Sequence, residues 1–72
     1  MVDLQMARAA QSAYNHAGFP KDEAFQRGEQ IAHYVRENLD TVRKLYHLQD
    51  ELELTYRVAM ATVAYEKAHS TH

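Results

Sequence analysis

Leu4, Ala7, Ala10, Tyr14 and Ala17 recur at three- and four-residue steps, and Met6, Ala9 and Ala13 widen the same stripe. That spacing predicts an amphipathic helix over residues 3–17. Asp3 stands where an N-cap carboxylate accepts free backbone N–H groups. Gly18 supplies the left-handed residue that commonly ends a helix, and Pro20 follows it closely. The result is a Gly-Pro corner. Pro20 also suits a first helical turn, with Asp22 and Glu23 placed where the helix dipole favours negative charge.

Beyond the corner the pattern changes. From Glu29 onward there is neither glycine nor proline, and Ile31, Val35, Val42, Leu45, Leu52, Tyr56, Ala59 and Val63 follow alternating three- and four-residue steps. Gly28 begins this seam, and the polar Asn38 and Gln49 fill its gaps. A heptad seam of this length predicts coiled-coil-like packing, with those eight apolar residues as the core of an oligomer. The lack of breakers favours one helix over residues 21–68, straight or bent near residue 39. The alternative is a break at 38–41, with Asp40 capping a new helix, which would give a three-helix bundle. An unbroken helix would be a rod on the order of 70 Å long. The first helix covers only about 20 Å of it, so a second copy must cover the rest. The expected fold is therefore all-α: a short N-terminal helix, a Gly-Pro corner and a long helix in a coiled-coil-like oligomeric bundle, with the 72 residues as a single domain.

Residues 54–65 sharpen this picture. Arg57 is their only charge, and a helix apolar nearly all round is an enclosed one. Ala61, Ala64 and Ala68 match the alanines of the first helix, so these two faces are expected to meet closely. Leu48 and Leu54 fall outside the seam and call for a second packing face. Tyrosine, apolar in body and polar at its tip, is over-used at interfaces. Tyr34 and Tyr46 flank the seam. With Tyr65, Leu48 and Leu54 they form the candidate surface for self-assembly or for a partner.

Composition narrows the function. Eight basic against ten acidic side chains leave no excess of cations to neutralise phosphates. Glu37 and Asp40 interrupt the densest basic stretch, Arg36, Arg43 and Lys44, so a nucleic-acid-associated helical dimer ranks second. Five histidines invite a metal, and Glu66 with His69 has the Glu-x-x-His spacing of di-iron bundles. No second such motif exists, and Glu29 with His33 is a looser pair, so a metal-binding helical bundle ranks third and neither metal nor cofactor is expected. With two glycines, no phosphate-cradling loop is available, and no nucleophile has a base beside it; an enzyme is not expected. The chain is too small to close a large core without staples and has no cysteine, which favours oligomerisation and fits a reducing compartment. It shows no signal-like or membrane-spanning stretch, so the expected location is cytoplasmic. The expected function is a non-enzymatic protein–protein interaction module: a small homo-oligomeric helical regulator, inhibitor or assembly chaperone.

Overall fold

The computed structural model describes residues 3–70, and it is all-helical over them. Four helices follow one another: α1 (Leu4–His16), α2 (Lys21–Glu37), α3 (Leu39–Tyr46) and α4 (Glu51–Ser70). The Asp3 carboxylate accepts the Gln5 amide at 2.9 Å and caps α1. Gly18 lies at φ +98°, left-handed backbone that a side chain would resist. Pro20 then precedes α2 directly.

The single helix expected over residues 21–68 is broken twice, and neither break needs glycine or proline. At the first, Asn38 donates its side-chain amide to the Tyr34 carbonyl at 2.9 Å, and α3 starts at the next residue. Asn38 is thus a helix cap exposed to solvent, not a polar member of a buried seam. At the second, His47 takes up the left-handed conformation (φ 57°, ψ 39°). The Leu48 amide bonds back to the Arg43 carbonyl at 3.3 Å, in the pattern by which a left-handed residue closes a helix. Asp50 starts α4, accepting the Leu52 amide at 2.9 Å, with Glu51 and Glu53 in the favoured first turn. Local capping therefore outweighs continuity of the apolar pattern.

The breaks fold the chain back on itself. One buried cluster joins Met6 and Ala7 of α1, Ala32 and Val35 of α2, Val42 of α3, and Leu54 and Val58 of α4. A second joins Ala10, Ala13 and Tyr14 to Ala24, Ala59 and Val63. The order of these contacts makes α2 antiparallel to α1 and α4, with α3 bridging one end. The radius of gyration is 11.6 Å, close to the roughly 11 Å of a compact chain this long. The longest dimension is 34 Å, about half the expected rod. Cover that the rod would have needed from a second copy comes from within the chain.

The closest helix contact is between α1 and α2. Ala24, Gly28 and Ala32 stand four residues apart on α2 and are all buried. A Cβ on Gly28 would lie 2.6 Å from the Ala7 carbonyl oxygen and 2.9 Å from the Gln11 nitrogen. Backbone meets backbone there. Ala61, Ala64 and Ala68, expected to face α1, are exposed instead; α4 meets α1 through Ala59 and Val63, on another side of the helix. The match of small residues picks the wrong side of α4, whereas the apolar seam includes Ala59 and Val63.

Charges tie the helix ends together. Arg36 bonds Asp3 at 3.2 Å and lies 3.9 Å from Glu51, which Arg43 approaches at 3.7 Å. Arg43 also donates to the Gln49 carbonyl at 3.2 Å, bracing the turn.

Candidate functional site

An apolar groove opens between α2, α3 and α4. Its volume is about 500 Å³. Gln30, Ile31 and Tyr34 come from α2, Val42, Leu45 and Tyr46 from α3, and Val58, Ala61, Thr62, Tyr65 and Glu66 from α4. It exists because α3 seals so little. Val42 is buried in the core, but Leu45 one turn later is 71% exposed. Tyr34 and Tyr65 stand on the rim at 52% and 57% exposure.

Two of the groove's polar groups, Thr62 and Glu66, are already engaged. The Thr62 hydroxyl donates to its own helix at the Val58 carbonyl, 2.8 Å away. Glu66 accepts the Arg27 guanidinium at 2.5 Å. Arg27 also reaches Glu23 at 3.5 Å and lies 5.2 Å over the Phe19 ring, a cation–π arrangement. Burial opposes the charge on Arg27, yet Glu66, then Glu23 and Tyr14, hold its pKa above the ordinary arginine value. Tyr14 beside it is raised too, first by burial and then by the charge of Glu66, with Arg27 pulling the other way. These groups serve the fold: Tyr14 meets Phe19 edge-on at 5.1 Å, closing the α1–α2 corner. Tyr65 stacks on His69 at 4.0 Å, which orients its ring at one end of the groove.

Tyr34, Tyr46 and Tyr65, singled out from separate stretches of sequence, line this one groove. Leu54 does not join them. It is completely buried in the chain's own core, so its assignment to a partner surface is corrected: the turn at 47–50 rotates its face inward. Leu48 is half-buried against the same core. Of the seam residues, Val35, Val42, Ala59 and Val63 are buried within the chain, Ile31 and Tyr56 are half-buried, and Leu45 and Leu52 are exposed. Val58, Ala61, Thr62 and Gln30 were not anticipated in the groove. For the three on α4 the signal that could have found them is Asp50 before Glu51 and Glu53, which marks a helix start; Gln30, on α2, has no such signal.

The other candidate chemistries separate in space. His33 faces Glu37 at 3.3 Å rather than Glu29, Glu66 is held by Arg27, and His69 lies against Tyr65. Among the described residues no three His, Asp or Glu side chains cluster closely enough to hold a metal ion. Arg36 and Arg43 are engaged by Asp3 and Glu51. Among the described residues no helix is long and apolar enough to cross a membrane. Comparison with known proteins gives no matching family model, no matching curated protein and no matching solved structure.

Proposed function

We propose that the chain is a non-enzymatic protein–protein interaction module of the cytoplasm. It works as a homo-oligomer and takes the apolar face of a helix from another protein into the groove between α2, α3 and α4. A small regulator, an inhibitor or an assembly chaperone would act in this way. The observation that carries the reading is the convergence of Tyr34, Tyr46 and Tyr65 on one groove of about 500 Å³. Amphipathic helices dock in such grooves through apolar side chains one turn apart. Aromatic walls suit that role, since tyrosine is enriched where interfaces concentrate their energy. The groove is walled mainly by apolar and aromatic carbon, and its one carboxylate, Glu66, is already held by Arg27, which favours an apolar guest over a charged one. The same bonding counts against the nucleic-acid reading, because Arg36 and Arg43 already face carboxylates.

A photo-crosslinking amino acid in place of Tyr34, expressed in the native host, tests this directly. The expected product joins the groove to an amphipathic helical segment of another protein, and complex formation persists at high salt. A product with nucleic acid, or a complex that disperses steeply as salt rises, would overturn the reading in favour of phosphate binding.

A further inference from the structure

Leu45 and Leu52, 71% and 40% exposed, flank the turn at 47–50. In the sequence they belong to one heptad series, Val42, Leu45, Gln49, Leu52, Tyr56 and Ala59, which crosses the turn without a glycine or proline. As a continuous helix the series is a single stripe; the turn splits it and leaves its two central leucines in solvent. The turn also carries backbone strain. Among the described residues, His47 alone adopts a positive φ without being glycine. In that conformation an L side chain crowds the following carbonyl. A short hinge under strain invites identical chains to exchange an element.

Resting on the homo-oligomeric reading above, we infer that the turn at 47–50 is an exchange hinge between two copies of this chain. His47 relaxes to the helical conformation, and α3 and α4 join into one helix over residues 39–70, about 48 Å long. Each α4 leaves its own α1 and α2 and docks on those of the second copy. The α1–α4 packing that puts Met6 in one cluster with Leu54, and Ala10 in another with Ala59, lies within one chain here and re-forms between chains. The core therefore loses nothing. The exchange gives up the Asp50 cap and the Arg43 brace on Gln49. In return, Leu45 and Leu52 of the two copies bury one another at the junction. Only a second copy presents the α1–α2 face that α4 fits, so the partner is defined by the chain itself.

The test refolds an equal mixture of isotope-labelled and unlabelled chains and asks by NMR which chain supplies each contact. Exchange predicts a dimer with nuclear Overhauser contacts from Met6 to Leu54 and from Ala10 to Ala59 between labelled and unlabelled chains. His47→Gly favours the turn and disfavours the joined helix, so it should raise the dimer dissociation constant by about tenfold or more. His47→Ala should lower it. A dimer whose α1–α4 contacts all lie within one chain would overturn the hinge while leaving the homo-oligomer standing. A chain that stays monomeric at every concentration would overturn both.

Discussion

The two sides of α2 are built on opposite rules. Toward α1 it presents Ala24, Gly28 and Ala32, and the helices approach until a single added methyl would strike the Ala7 carbonyl. Toward α3 and α4 it presents Ile31 and Tyr34, larger side chains that still leave about 500 Å³ unfilled. The first contact leaves no room for even one added carbon. Ile31 still packs on the core, but Tyr34 beside it is half exposed, and this is the side on which the proposed partner would bind. Small residues made the tight side; large ones made the open side.

Substitution at the tight side should show the largest effects. Gly28→Val drives new carbon atoms into backbone that cannot rotate away. Its cost should exceed the ~1–3 kcal/mol of ordinary overpacking. That is a large share of the roughly 4–11 kcal/mol available to a domain this size. A denaturant melt checks it, with Ala64→Leu as the contrast. Ala64 is exposed, so the larger side chain should change stability by only a few tenths of a kcal/mol. A parent-like melt for Gly28→Val would mean that α1 and α2 stand further apart.

The next comparison sets two leucines against each other. Leu54→Ala removes a side chain that is fully buried and should cost about 2–5 kcal/mol. Leu45→Ala, on the open side, should cost under about 0.5 kcal/mol. Equal losses would show that α3 is packed more tightly than its exposure indicates.

How far the sequence foretold these two sides depends on what the chain does at each helix end. The α1 boundaries were legible because Asp3, Gly18 and Pro20 carry strong local signals. The all-helical class was legible from spacing alone. Beyond residue 38, apolar periodicity pointed to one helix, while Asn38, His47 and Asp50 set caps that cut it into three. Asn38 and Asp50 act through single side-chain hydrogen bonds and His47 through a left-handed backbone, and periodicity registers neither. On α4, Leu54 faces inward together with the seam residues Ala59 and Val63, while Ala61 and Ala64, matched to α1 only by their small size, face outward. Tyr34, Tyr46 and Tyr65 were singled out as tyrosines, the first two also as flanking the seam, and all three line the groove. Gly28 was placed at the head of a seam; its close approach to Ala7 depends on where two helices cross, which spacing along one helix does not reveal.

A smaller effect comes from pH. The Tyr14 phenol has its pKa raised in the folded chain, so the fold favours the neutral form. That stabilisation is complete below the ordinary tyrosine value near 10, and it is lost as pH rises through the higher folded value. Stability should fall in that alkaline window, and Tyr14→Phe should fall less steeply there than the parent. Coincident pH profiles for the two would remove Tyr14 from the account.

Smallest of all is the Arg27–Glu66 pair. Both side chains are more than a third exposed, so solvent screens them. A double-mutant cycle with Arg27→Gln and Glu66→Gln should give a coupling below about 1 kcal/mol. A coupling of several kcal/mol would mean that this end of the groove is sealed from water.

The open side's role in binding is tested most directly by Tyr65→Arg, which puts a charge on the rim of the groove while leaving the core clusters untouched. Partner association, measured by sedimentation of the crosslink-identified complex at matched concentrations, should be lost, with the melt of the free chain staying within about 0.5 kcal/mol of the parent. Undiminished association of a normally folded Tyr65→Arg chain would contradict the account, and the groove would then be space left over between helices.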